Sequence, residues 1–324
     1  MIPDRAQSRR WVFVGLFLGA LLLIAVPPFL PTYIVILFTL SLVYAIVAMS
    51  LDLLIGYTGL GALGHAAYFA TGAYCTAILV TRHQISFAGA LGSSILLAAI
   101  ASAIFGILAL RAAGVYFLMI TLAIAMCVWG LAFRWVSLTG GDNGITGISR
   151  PALGLPWDMG DVIPFYYLVL FFFVACLLLL FLFIRSPFGK TLVGIRDSES
   201  RMRVLGYNIW LHKYLAYIVA GGFAGLSGCL YAYYNSFVSP NDANLTHCME
   251  MVLMVTIGGP GTLAGAAPGA FVIVFLKNMV SVYTQRWLMV LAAVYVVTAL
   301  YAPEGVMGIF RRIQGRRQPV GGKG

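Results

Sequence analysis

From end to end the chain alternates between long apolar stretches and short polar breaks. The apolar segments fall at about 11–27, 33–55, 62–80, 88–110, 114–134, 164–184, 213–235, 247–258, 262–282 and 287–303. Most are near or above the ~18 residues that carry a helix across a ~30 Å hydrocarbon core. The period-2 alternation of a membrane β-barrel is absent. The pattern predicts an all-α polytopic membrane protein, a single transmembrane domain over residues 1–324. The first segment, Trp11 to Val26, follows the basic stretch RAQSRR and leads into VPPFLP. No small-residue cleavage site follows it, so it reads as an uncleaved membrane helix rather than a secretory signal.

Segment 247–258 is too short to span comfortably and runs into Gly258-Gly259-Pro260-Gly261-Thr262, which a regular helix cannot traverse. If 247–282 were one crossing, Arg311, Arg312, Arg316 and Arg317 would lie opposite Arg5, Arg9 and Arg10. If the chain reverses at Gly258–Thr262, both ends share a side. That side then carries fifteen Lys and Arg, against five on the other: Arg82, Arg134, Arg150, Lys277 and Arg286. The positive-inside rule selects the second arrangement. It gives about ten membrane segments, some short or broken, with both termini cytoplasmic.

Two long breaks interrupt the apolar pattern. The outer one, about 135–163, holds SLTGGDNGITGI, whose Gly, Asn and Asp are turn formers. The inner one, about 185–212, lies in the stretch Arg185–Lys213, which carries eight of the chain's thirty charged residues. Arg185-Ser186-Pro187 ends the preceding membrane helix. A short helix then fits Ser198–Leu205, with Asp197 placed to cap it and Asp197 and Glu199 suited to the positive end of its dipole. Arg201 and Arg203 sit toward its C-terminal end, and Gly206 supplies the C′ position. Met202 and Leu205 share a face. A helix of ~12 Å is too short to be stable alone, so it either docks on a partner or serves as a solvated connector.

Composition supports the membrane reading. The chain is 61% hydrophobic and 9% charged, with mean hydropathy +0.96, where soluble domains carry roughly 25% charged residues. The net charge of +10 reflects basic loops on the cytoplasmic side, not a nucleic-acid partner. Cys75, Cys127, Cys176, Cys229 and Cys248 lie in or beside apolar runs without CxxC spacing, as small core residues do.

No catalytic set is visible. His65, His83, His212 and His247 are scattered, with neither HExxH nor metal spacing, and GxSxG is absent. FGKT at Phe188–Thr191 resembles the end of a phosphate loop, but the first glycine of that motif would fall at Ile184 and no strand precedes it. No ATP or other cofactor is therefore expected on this chain. An ion-driven transporter needs buried acids. Asp52 lies near the inner end of its segment and reads as an interface residue, and Glu250 and Asp242 read likewise at the outer edge. Two glycine-rich stretches remain, Gly56–Tyr74 and Gly258–Gly269. Small residues permit close helix packing, and broken helices can line a cavity. The first stretch is either packing alone or a translocation path with Gly59, Gly64, His65, Tyr68, Thr71, Gly72 and Tyr74. The second supplies a helix break at Gly258, Gly259, Pro260 and Gly261.

GKTLVGIRDSESRMRVLGYN resembles the cytoplasmic coupling loop of ABC-importer permeases of the branched-chain amino acid type. The resemblance extends, in order, to LDLLIGYTGLGALGHAAYFATGAY at Leu51–Tyr74, GVYFLMITLA at Gly114–Ala123 and SLTGGDNGITGI at Ser137–Ile148. It continues through TIGGPGTLAGAAPGA at Thr256–Ala270 and APEGVMGIF at Ala302–Phe310, covering most of residues 33–312. The outer-loop block points to the LivM-type subunit over its LivH-type sister. The resemblance implies a multi-pass bacterial inner-membrane subunit that pairs with a sister permease. It implies two cytoplasmic ATPase subunits, which hold the ATP and Mg, and a periplasmic binding protein that sets specificity. Gly189, Arg196, Glu199 and Gly206, with Asp197 beside them, match the coupling pattern. Arg201-Met202-Arg203 departs from it, since relatives commonly carry alanines there. Hydrophobic amino acids are the implied cargo, with urea, short amides and small aromatic acids carried by other relatives. An ATP-independent secondary transporter is the contrasting reading.

Overall fold

A computed structural model describes residues 30–151 and 160–284, together with Leu23, Pro27 and scattered positions from Arg286 to Thr298. The expected segments 11–27 and 287–303, the basic tail and the block Ala302–Phe310 lie wholly or largely outside the described residues. The other eight expected segments are helices. They are α1 (Thr32–Asp52, continued by a π-helical turn Leu53–Thr58), α2 (His65–His83), α3 (Phe87–Ala109) and α4 (Val115–Arg134). After a short α5 (Val136–Thr139) come α6 (Val162–Arg185), α7 (Pro187–Asp197), α8 (Glu199–Val204) and α9 (Ile209–Asn235). The described chain closes with α10 (Leu245–Gly258) and α11 (Leu263–Tyr283).

Six of these are long and apolar enough to cross a membrane: α1, α3, α4, α6, α9 and α11. α10, at 14 residues, falls short of a full span. The chain does reverse after it, because Gly258 lies against Gly265 while Gly269 lies against Met254, the register of an antiparallel pair. α2, at 19 residues, has the length of a span but is less apolar than the six. Its first residue, His65, is level with Ser50, about two turns above the end of the preceding helix. Gly59–Gly64 climbs back to that level, and the Leu63 N–H is received by the Thr121 hydroxyl at 3.1 Å.

α1, α2 and α9 form the centre, with α3 and α6 outside them. The burial of α3 shows how a bilayer sorts side chains. Ala90, Ser94, Ala98, Ser102 and Gly106, each four residues apart, form its buried stripe. Leu96, Leu97, Ile100, Ile104 and Leu108 point outward. Lipid tails are as apolar as leucine, so association rests on close approach of small residues, and large ones lose nothing by facing lipid. The stripe meets glycines of α9: a Cβ on Gly225 would stand 2.3 Å from the Ala98 Cβ, and one on Gly221 2.3 Å from the Ser102 hydroxyl. Four of the five cysteines are buried as expected, but Cys127 on α4 is exposed.

The upper end, opposite α7 and α8, is stitched together by the 135–163 break. β1 (Ile145–Thr146) pairs antiparallel with β2 (Phe237–Val238), joining Ile145 to Val238 and Thr146 to Phe237. Arg82, at the end of α2, donates to the Ser137 and Leu138 carbonyls at 2.7 and 2.9 Å. The expected turn chemistry is present, with Gly140, Gly141, Gly144 and Gly147 all at positive φ.

Candidate functional site

The lower end gathers three features that lie far apart in sequence. Ser186 leaves α6 in an extended conformation and accepts the Gly189 N–H at 3.2 Å, and Pro187 takes the first helical position. This starts α7, a helix in a stretch that the charge pattern alone marks as a loop, although Ser-Pro is a helix-start pair. α7 buries Gly189, Leu192 and Ile195. Gly189 has no room for a Cβ, which would lie 2.3 Å from the Ile184 carbonyl oxygen. The docking face expected on the next helix is therefore largely supplied here, against the chain's own membrane helices.

α8 departs from expectation in its cap. Ser198, not Asp197, accepts the N–H of Arg201, at 3.4 Å. Asp197 instead closes α7 and pairs with its neighbour Arg196 at 3.2 Å. The C-terminal end follows the sequence: Gly206 has φ 84°, its N–H reaches the Arg203 carbonyl at 3.0 Å, and Tyr207 N–H reaches that of Met202 at 3.1 Å. This pair of hydrogen bonds is the Schellman arrangement that glycine favours. Glu199 pairs with Lys213 at 2.5 Å, fastening α8 to the start of α9. Met202 and Leu205 part company: the Met202 sulfur rests on Gly194, whereas Leu205 is exposed, as are Arg201, Arg203 and Val204.

Arg196 reaches from α7 into the membrane-facing layer. Its Nη1 donates to the Gly56 carbonyl, inside the π-helical turn, at 2.5 Å. Its aliphatic stem lies over Gly59, which ends that turn at φ 72° and where a Cβ would sit 3.0 Å from the Arg196 Cγ. One turn earlier, Asp52 accepts the Gly261 N–H at 2.7 Å, and the Tyr57 hydroxyl accepts that of Leu263 at 3.3 Å. Asp52 is fully buried. Its carboxyl is covered by protein and turned inward onto the N–H of Gly261, in the loop that leads into α11. Gly56 is fixed by the crowding, since a Cβ there would lie 2.0 Å from the Gly261 nitrogen. The Gly258–Gly261 break, the LDLLIGYTG stretch and the coupling-loop motif thus form one contact.

The family model described as "Branched-chain amino acid transport system / permease component" matches residues 33–300 of the chain. The chain belongs to this family. The permease resembles the "High-affinity branched-chain amino acid transport system permease protein LivM" of Escherichia coli K12. The two are 29% identical over 320 residues, covering 91% of this chain and 75% of that protein. The protein of the same description in Salmonella typhimurium LT2 is 28% identical over the same shares. A "Tyrosine transport system permease protein" of Clostridioides difficile is 34% identical over 82 residues, 25% of this chain and 28% of that one. No solved structure matches. The permease is a multi-pass membrane transport subunit.

The residues of the candidate path lie on α2 and its approach. His65 is buried, with Nε2 2.7 Å from the Ser50 hydroxyl and no protein partner at Nδ1. Tyr68 meets Tyr217 of α9, hydroxyl to hydroxyl, at 2.9 Å. Gly64 and Gly72 are contact points, where a Cβ would stand 2.2 Å from the Thr121 carbonyl oxygen and 2.3 Å from that of Gly225. Thr71 is half-buried and donates to the Ala67 carbonyl, while the buried Tyr74 hydroxyl has no partner. Gly59 belongs to the lower contact with Arg196.

The upper end of the permease holds a polar cluster that includes the two outer acids, Glu250 and Asp242. Glu250 on α10 is buried and takes both carboxylate contacts from Lys277 of α11, at 2.8 and 3.0 Å. His247, one turn away, is within 2.9 Å of the Tyr44 hydroxyl. Asp242 accepts from the Ser239 N–H at 2.9 Å and the Tyr231 hydroxyl at 3.2 Å. Glu250 and Asp242 are both at the edge in sequence but covered in space. His247 and Glu250, three apart, with a lone Lys277 in an apolar run, were the available signal. Among the described residues no three His, Cys, Asp or Glu side chains converge to hold a metal.

Proposed function

We propose that this permease is one membrane subunit of an ATP-driven importer for branched-chain and other hydrophobic amino acids, paired with a LivH-like sister permease. Two cytoplasmic ATPase subunits bind beneath α7 and α8, and a periplasmic protein delivers substrate at the upper end. The lower end is then cytoplasmic, with ten segments and both termini on that side. ATP-driven closure of the ATPases displaces α7 and α8, and the helices switch between inward- and outward-facing states. The chain binds no nucleotide and catalyses no reaction itself. The observation that carries this reading is the family match, supported by a charged helix pair packed beneath the bundle, with Arg201, Arg203, Val204 and Leu205 exposed.

Uptake of labelled leucine, isoleucine and valine in cells lacking their own importers tests it. Uptake should require the co-expressed ATPases. Uptake that persists without them would place the chain among ATP-independent transporters. A second cargo, tyrosine, is favoured by the resemblance to the Clostridioides difficile permease. Competition between leucine and tyrosine for uptake separates the two, alongside urea, short amides and aromatic acids. A cysteine replacing Gly315 should react only with reagents that enter the cytoplasm.

A further inference from the structure

Asp52 presents a buried carboxylate of which only one oxygen is satisfied. Oδ1 holds the Gly261 N–H at 2.7 Å, whereas Oδ2 is buried without a hydrogen-bond partner. An unpaired carboxyl oxygen in a water-poor site is an unfavourable arrangement, and a guanidinium relieves it best because its five N–H groups form a rigid fork. Such a guanidinium is adjacent. Arg196 touches Gly56, whose own Cβ position is 2.3 Å from the Asp52 Oδ1, and its Nη1 is 3.2 Å from the Cβ position of Gly261. The rest of its fork is spent on Asp197, an exposed neighbour on its own helix, at 3.2–3.3 Å. The carbonyl it holds lies in a π-helical turn, a geometry that recurs at functional sites in helices.

Resting on the importer reading above, we propose that Arg196 is a positioning residue that exchanges the Gly56 carbonyl for the free oxygen of Asp52 as α7 moves. In the arrangement described, α7 holds the end of α1. After the exchange it holds, through Asp52 and the Gly261 N–H, the reversal between α10 and α11 as well. One arginine thereby couples the ATPase-facing helix to both broken elements, and the spare carboxylate oxygen is the second seat of a two-position latch.

The test uses the complete importer, with sister permease, ATPases and binding protein, in proteoliposomes. It reads substrate moved per ATP hydrolysed. Asp52→Asn keeps an oxygen for Gly261 and removes the charge. Arg196→Lys keeps the charge and loses the fork, on a side chain that is partly exposed and poses little risk to folding. Each should lower the ratio about tenfold, within the usual range of coupling between sites, and the double variant should be no worse than the poorer single. An unchanged ratio overturns the latch, as does a parallel fall in uptake and hydrolysis. If Asp52→Asn does not assemble, Arg196→Lys alone decides. A wild-type importer without ATP-dependent uptake would overturn the underlying reading and the latch together.

Discussion

The hydroxyls of Tyr68 and Tyr217 meet at 2.9 Å between α2 and α9, with both rings buried. Each is the other's hydrogen-bond partner across the interface. Changing either alone to Phe strands one buried hydroxyl and should cost about 1–2 kcal/mol. The double Phe variant should recover most of that loss. Melting of the detergent-solubilised protein checks the sign, and additive losses would show that the pair is not what matters.

The helix crossing around that pair depends on glycine. A Cβ at Gly72 would stand 2.3 Å from the Gly225 carbonyl oxygen, and one at Gly228 would stand 2.0 Å from that of Phe69. Backbone cannot yield as a flexible side chain does. Gly72→Ala and Gly228→Ala should each destabilise the bundle by more than about 2 kcal/mol, as overpacking does. Gly92 has nothing within 4 Å of its Cβ position, and Gly92→Ala should be neutral or stabilising by up to ~1 kcal/mol. Expression and melting temperature of the three variants rank them.

Lys277→Met should leave Glu250 buried with only His247, 3.9 Å away, beside it, at a cost of about 3 kcal/mol. The Lys277 side chain is 32% exposed and that of Glu250 4%, so the acid suffers most from losing its partner. Adding Glu250→Gln to Lys277→Met should restore stability. A double variant as unstable as the single would mean that the pair is not the source of the loss.

Asp242 lies in the turn between β2 and α10, outside the spans. Burial pushes its carboxyl above the ordinary 3.8, opposed by the Ser239 N–H. A raised folded-state pKa means that the folded form holds the proton more tightly than the unfolded one. Stability should therefore fall as pH rises from the ordinary carboxylate value through the raised one, and recover on acidification. Asp242→Asn should flatten that slope in a series of melts between those values. An unchanged slope would assign it to another group.

Sequence and structure agree where one element decides the outcome. The apolar runs gave the helices, Gly-Gly-Pro-Gly gave the reversal, and Gly206 gave the end of α8. They diverge where partners are remote. Nothing local to Asp52 announces its burial, because its partner, Gly261, lies between two other helices. Glu250 looked peripheral because Lys277 arrives from α11. α7 is masked in the sequence because a charged stretch after a membrane helix reads as a loop, although its Leu192 and Ile195 are buried beneath the bundle. The two-residue strands had no local signal at all, since nothing in Ile145–Thr146 announces Phe237–Val238.

That small pairing has a mechanical consequence. Together with the grip of Arg82 on the Ser137 and Leu138 carbonyls, it fastens the tops of α2, α4 and α9 into a hoop. Helices held at one end move as levers about that fulcrum. A 27-residue helix such as α9 is about 40 Å long, so a tilt of about 5° displaces its free end by about 3.5 Å, roughly the width of a methyl group. Motion that is negligible at the hoop becomes large at the far end of the same helices, which is where Arg196 sits.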